Sequence, residues 1–183
     1  YPAGEVQGVS RHLAIATLDG AMNDWSADRL PMNRVRVAPD GRRLAVMVDN
    51  VSEGDALLQI RVSSFERPRL VTVGSKPGMD CSRMVWSTGS NLVAWTCQDN
   101  KEHELFVGPA DGGTAAKVVL RVATPSTLGP VGFTADDSRV LAQRRDAPGE
   151  SYLVAIALGV GARPSADGQV VAVRHIAATL GAE

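Results

Sequence analysis

The sequence predicts an all-β fold, a partial β-propeller of about three to four four-stranded antiparallel blades. Two observations carry that reading. One phrase is written three times: VRVAPDGRRLAVMV at 35–48, MVWSTGSNLVAWTC at 84–97 and VGFTADDSRVLAQR at 131–144. Anchored on Ala38, Ser87 and Thr134, the copies align without gaps at intervals of 49 and 47 residues. A propeller blade takes about 40–50 residues. The second observation is composition. Aromatic residues make up only 4% of the chain, so Val, Leu, Ile and Ala must fill the core, and abundant Val favours strands over helices.

The elements follow in order. Residues 13–20, LAIATLDG, align without gaps to 105–112 and read as the third strand of a partial unit over 10–30. The first full unit covers 33–74. Its strand A is 34–37, and Pro39-Asp40-Gly41 forms the turn, Pro presetting φ and Gly free to take φ > 0. Strand B is 44–48, strand C 57–62 and strand D 69–73. The second unit, 81–122, repeats this with 84–86, 92–96, 104–107 and 117–121. The third, 129–175, offers 131–133, 139–143, 152–157 and 169–174. A possible fourth turn at 164–168 comes too soon after Thr134 to open a blade. It reads as the C–D turn of the third unit. The chain, 1–183, is thus expected to be a single propeller segment of half a blade plus three.

Composition narrows the classes of function. The net charge is −1 and both signs are interspersed, so neither a nucleic-acid groove nor a polybasic membrane patch is expected. No stretch approaches the roughly 18–20 apolar residues of a membrane span. The chain opens Tyr1-Pro2-Ala3-Gly4, without initiator Met or leader, and reads as a fragment or processed product.

The two cysteines are informative by position. If the hairpin turn centres on Gly89, Cys81 and Cys97 face each other across an antiparallel ladder, within reach of a disulfide. A bridge implies an oxidising compartment, periplasmic or extracellular, whereas two free buried thiols leave the cytoplasm open.

The turn residues also carry a resemblance. Ala38-Pro39-Asp40-Gly41-Arg42-Arg43-Leu44-Ala45 resembles the turn of TolB-like propeller repeats, and Glu104–Gly113 is similar to their next element, a strand ending in D-G-G. Ser87-Thr88-Gly89-Ser90 and Thr134-Ala135-Asp136-Asp137 depart from the pattern by lacking its Pro. The resemblance implies a propeller like those at the C-termini of bacterial Ser/Thr kinases and membrane-bound regulators, in TolB, and in prolyl-oligopeptidase-type peptidases.

Catalytic motifs are missing. There is no Gly-rich phosphate loop with an H-R-D loop and no G-x-S-x-G elbow. His12, His103 and His175 form no ligand array, and Asp49, Glu53 and Asp55 lack the spacing of a calcium loop, so no metal or cofactor is expected. Trp25, Trp86 and Trp95 read as packing between blades. Blade geometry puts the B–C and D–A connections on one face. The B–C loops, 50–55, 98–103 and 146–151, are polar, and the D–A loops are 74–80 and 124–129. If the protein has a binding face it is this one, with Lys76, Met79, Asp80, Asp99, Lys101, His103, Arg145 and Glu150 as candidate residues. The expected function is a non-catalytic interaction or sensor module for a protein or peptide partner. The alternatives are the regulatory propeller of a larger enzyme and a plain spacer. About three and a half blades leave edges unpaired, so self-association is expected, with truncation of a longer protein as the simpler origin.

Overall fold

The computed structural model describes residues 14–16, 22–24, 32–52, 55–64, 71–147, 150–158 and 170–175, which hold strands and turns and no helix. Strands β1 (Ala14–Ala16) and β2 (Met22–Asp24) pair as a two-stranded antiparallel sheet. Three four-stranded meanders follow. Blade 1 contains β3 (Met32–Val37), β4 (Arg43–Ser52), β5 (Asp55–Ser64) and β6 (Val71–Pro77). Blade 2 contains β7 (Asp80–Trp86), β8 (Leu92–Gln98), β9 (Glu102–Pro109) and β10 (Lys117–Ala123). Blade 3 contains β11 (Thr127–Phe133), β12 (Arg139–Ala147), β13 (Glu150–Ala157) and β14 (Val170–His175).

The strands reach further into the polar connections than the sequence suggests. The expected loop 98–103 is a turn closed by the Asp99 N–H donating to the Glu102 carbonyl, 3.0 Å. The expected loop 50–55 is mostly strand, and 74–80 reduces to Gly78 and Met79 between β6 and β7. The ladder needs only backbone donors and acceptors, so polar residues at the blade ends extend it without an apolar face to bury.

The repeated phrase is a repeated turn. In each copy the anchor residue donates its N–H to the carbonyl five residues on, Ala38 to Arg43, Ser87 to Leu92 and Thr134 to Arg139. The residue three places after the anchor donates back to it, and there the backbone is left-handed: Gly41 (φ 66°), Ser90 (61°) and Asp137 (55°). Asp40 and Asp136 each accept the N–H two residues on, at 2.8 and 3.1 Å, and steady the turn. The second copy has no Asp, and the Ser87 hydroxyl replaces it by accepting the N–H groups of Asn91 and Leu92.

These turns also fasten neighbouring blades. The Asp40 N–H donates to Ser90 Oγ at 3.0 Å. The N–H groups of Thr88 and Gly89 donate to the two carboxylate oxygens of Asp137, at 2.8 and 2.7 Å. The left-handed residue of a later blade therefore clasps the turn of the blade before it. Left-handed backbone costs a non-glycine residue about 1–2 kcal/mol, which these inter-blade bonds offset.

The core lies between blades. One cluster joins Ala45, Met47, Val62 and Val73 of blade 1 to Met84, Val93, Trp95 and Phe106 of blade 2. Trp95, 2% exposed, stacks on Phe106 with centroids 5.6 Å apart. The ring fills the space at Gly74, where a Cβ would collide with it. Trp86 donates its indole N–H to the Arg36 carbonyl across the same seam, 3.0 Å. The second cluster joins Ala94, Leu105 and Val107 of blade 2 to Val140, Ala142, Val154 and Ile156 of blade 3. Alternation along β8 and β9 splits blade 2 between the two seams. Trp25 lies outside the described residues.

Candidate functional site

Cys81 and Cys97 pair directly in the ladder of β7 and β8 and are joined by a disulfide. The hairpin beside them carries the most informative irregularity in the molecule. Near its turn Trp86 faces Val93 and Met84 faces Trp95, a register centred between Gly89 and Ser90 rather than on Gly89. Beyond Arg83 the pairs are Ser82–Thr96 and Cys81–Cys97, centred on Gly89. Arg83 is the extra residue of a β-bulge, with φ 48°. The bulge turns the Ser82 carbonyl towards the Thr96 hydroxyl, which donates to it at 3.0 Å.

The bulge places Arg83 at the seam of blades 2 and 3, on the face formed by the B–C and D–A connections. Gly129 of β11 lies beneath it, and a Cβ built there would come within 2.7 Å of Arg83 Cδ and 2.8 Å of Nη1. Strands β7 and β11 and the ends of β8, β9 and β12 line a polar cavity of about 210 Å³. Ser82, Gln98, His103, Thr127, Gln143 and Arg145 complete its polar lining, with Leu128 as its apolar wall and no carboxylate among the lining residues. Gln143 is fixed by donating to Ser151 Oγ at 2.8 Å. Burial lowers the His103 pKa, and the nearby Asp99 charge opposes this without cancelling it. Burial thus favours the neutral imidazole, which has one donor and one acceptor nitrogen.

The expected site residues divide. His103 and Arg145 share this cavity. Asp99 is occupied in its turn, where Oδ1 accepts the N–H groups of Lys101 and Glu102 at 2.8 Å each. Those bonds hold its pKa below the ordinary carboxylate value. Lys101 is exposed, and its carbonyl accepts the Thr124 N–H. Asp80 is exposed at the start of β7. Glu150 accepts the Tyr152 hydroxyl at 2.8 Å. Met79 is not a surface residue. It is 7% exposed and belongs to the core between blades 1 and 2, because the short connection from β6 to β7 sets it between the two blades.

Lys76 serves a different centre. Its ammonium lies 2.9 Å from Oε2 of Glu104, a carboxylate only 1% exposed, and sits over the Phe106 ring. Arg121 Nε donates to Glu104 Oε1 at 2.6 Å. Oε2 itself has no hydrogen-bond partner, so the Lys76 contact is one of charge rather than of aligned donor and acceptor. Burial works against the Glu104 charge, but the Arg121 hydrogen bond and the two cations outweigh it and lower the pKa. The register puts Cys81, Cys97, Glu104 and Arg121 in one row across all four strands of blade 2. The row ties the blade together and, through Lys76, ties it to blade 1.

Arg83 was outside the sequence expectation, yet a signal for it was present. The repeated turn is symmetric about a point between Gly89 and Ser90, whereas the cysteines are symmetric about Gly89. One residue of β7 must bulge for both to hold.

A larger cleft of about 510 Å³ opens on the opposite face of the same seam, lined mainly by apolar residues such as Leu92, Val107, Val119 and Leu158. Among the described residues no cluster of His, Cys, Asp and Glu could hold a metal ion. No helix of the described residues is long and apolar enough to cross a membrane.

Radially packed four-stranded antiparallel meanders define part of a β-propeller. A scan of protein-family models finds no match, and a search of curated proteins finds none. Among solved structures the protein is similar to TolB from Acinetobacter baumannii, with TM-score 0.60 and 16% identity over 92% of this chain and 38% of that one. It is similar to a prolyl endopeptidase, with TM-score 0.55 and 12% identity over 84% of this chain and 23% of the other. It is also similar to prolyl oligopeptidase B from Galerina marginata, with TM-score 0.54 and 13% identity over 79% and 22%. The fold is a partial TolB-like β-propeller, and the chain spans well under half the length of each of these structures.

Proposed function

We propose that the protein is a non-catalytic binding module that takes a protein or peptide partner on the face formed by its B–C and D–A connections. The observation that carries this reading is the polar cavity at the seam of blades 2 and 3, which gathers His103 and Arg145 with Arg83 on that face. Its size supports a peptide rather than a metabolite. At about 210 Å³ it is smaller than the ~300–1,000 Å³ typical of small-molecule sites and suits one side chain or one peptide terminus. The disulfide supports an extracytoplasmic location, periplasmic or extracellular.

Selection of a displayed peptide library on the folded, oxidised protein tests the reading. Selected peptides should lose binding to a His103→Ala/Arg145→Ala double variant and keep it to Asp111→Ala on the opposite face. Selection of no peptide, or equal loss in both variants, overturns it.

The second reading, a regulatory propeller of a larger kinase or peptidase, draws on the likeness to the two prolyl peptidases. It requires a kinase or α/β-hydrolase domain in the same open reading frame, and the gene sequence decides it.

A further inference from the structure

Three described non-glycine residues have left-handed backbone: Arg83, Ser90 and Asp137. Ser90 and Asp137 use the conformation to aim a side chain at the preceding turn. Arg83 makes no such bond. Among the described residues its guanidinium has neither an ion pair nor a hydrogen bond, and the same holds for Arg145 across the cavity. The bulge reconciles two registers through the backbone alone, so it leaves the Arg83 side chain free of any structural bond and available to a ligand. The surroundings are also arranged for this side chain. Gly129 leaves room for it, since even a methyl group there would displace it. The lining supplies two permanent cations, the amides of Gln98 and Gln143 and the His103 imidazole, with no carboxylate among the lining residues. A planar anion fits two guanidinium forks.

We propose that this cavity is a carboxylate site, which seats one carboxylate of a bound peptide between Arg83 and Arg145 with His103 as a hydrogen-bond donor. The proposal rests on the reading of this face as a peptide surface and names the chemistry that anchors the peptide. An acidic side chain and a peptide C-terminus present the same group, and both fit the volume.

The test is an NMR titration observing the arginine Nε–H resonances of the oxidised protein. The probes are acetyl-Gly-Glu-Gly-amide, acetyl-Gly-Gly-Gly with a free carboxylate, acetyl-Gly-Gln-Gly-amide and inorganic phosphate. Saturable shifts at Arg83 and Arg145 are expected with at least one of the first two probes and not with the glutamine peptide. The tighter of the two identifies the source as side chain or terminus. Arg83→Gly should weaken binding about tenfold or more while leaving the protein at least as stable, because it relieves the left-handed backbone. Gly129→Ala should weaken it without removing any charge, by pushing Arg83 aside. Lys101→Ala, an exposed cation outside the cavity, should leave it unchanged. Absence of saturable shifts, tighter binding of phosphate than of both carboxylates, or full affinity in Arg83→Gly overturns the proposal. Library peptides that need the loop face but carry no essential carboxylate would overturn the carboxylate site and leave the binding-module reading standing. Carboxylate binding with no selected peptide would do the reverse.

Discussion

The Ser90 hydroxyl accepts the backbone N–H of Asp40 at 3.0 Å, so the turn of one blade is held by the left-handed residue of the next. Two energies are superposed at this position, an inter-blade hydrogen bond and a backbone conformation unfavourable to any side chain. Substitution separates them. Ser90→Ala loses the bond and keeps the strain, whereas Ser90→Gly loses the bond and the strain together. Ser90→Gly should therefore be more stable than Ser90→Ala by about 1 kcal/mol, with both below the parent. Denaturant midpoints measure the order, and equal midpoints would show that the backbone is not strained there.

Glu104 is the buried centre of an ion triad whose partners lie nearer solvent. Glu104→Ala leaves two cations facing an emptied site and should cost about 1–3 kcal/mol, a discount on the fully buried case because Arg121 is more than half exposed. Glu104→Gln keeps the shape and one acceptor and should cost less. A smaller loss in the alanine variant than in the glutamine variant would contradict the arrangement.

The acid limb of stability follows from lowered carboxylate pKa values. The Thr134 hydroxyl, with the Ser138 N–H and hydroxyl, holds Asp136 down to about 2. Glu104 is also lowered, its cationic partners outweighing burial. A carboxyl whose folded pKa is depressed binds fewer protons folded than unfolded. Its contribution is complete above the unfolded value, about 4, and is lost as pH falls through the folded one. Stability should thus be flat on this account near neutrality and decline from about pH 4.5 downwards. A carbon-detected titration of Asp136 with a midpoint near 4 would refute the assignment.

Reduction of Cys81–Cys97 opens a loop with a sequence separation of 16 and should lower stability by about 3 kcal/mol. A bridged cysteine has no thiol, so the unreduced protein should resist alkylation even in denaturant and gain the mass of one hydrogen per cysteine on reduction. Ready labelling of the unreduced protein would remove the support for an oxidising compartment.

The far side of blade 3 carries Leu141 and Leu153, half-buried and outside the core cluster shared with blade 2. No sheet covers that side among the described residues, so the isolated protein should associate as its concentration rises. Sedimentation velocity should show this, and Leu153→Glu should suppress it. A monomer at all concentrations would show that the face is covered.

The turns and the ladder around them were legible because they depend on residues at fixed offsets. Ala38, Ser87 and Thr134 mark one backbone shape wherever they occur, whereas the cysteine pairing holds only because Arg83 bulges and shifts the register by one residue. Strand ends were not legible. Asp80, Gln98 and Glu102 look like loop residues, yet their backbones pair, and pairing leaves no trace in side-chain polarity. Met79 was misread for the converse reason: an apolar residue beside a glycine turn looks exposed until the blade on its other side is known. Arg83 escaped because a bulge is a mismatch between two registers, invisible to either alone.

The clasping turns have a direction. The left-handed residues Ser90 and Asp137 each clasp the earlier blade's turn, Thr88 returns only a longer bond from its hydroxyl to the Thr134 carbonyl at 3.5 Å, and the turn at Gly41 has no side chain to offer. As the polypeptide leaves a ribosome or a secretion pore, each blade waits for its successor before its turn is secured. Gly41 has no side chain with which to clasp a neighbour on its N-terminal side, so a segment packing there has no such bond to make or break.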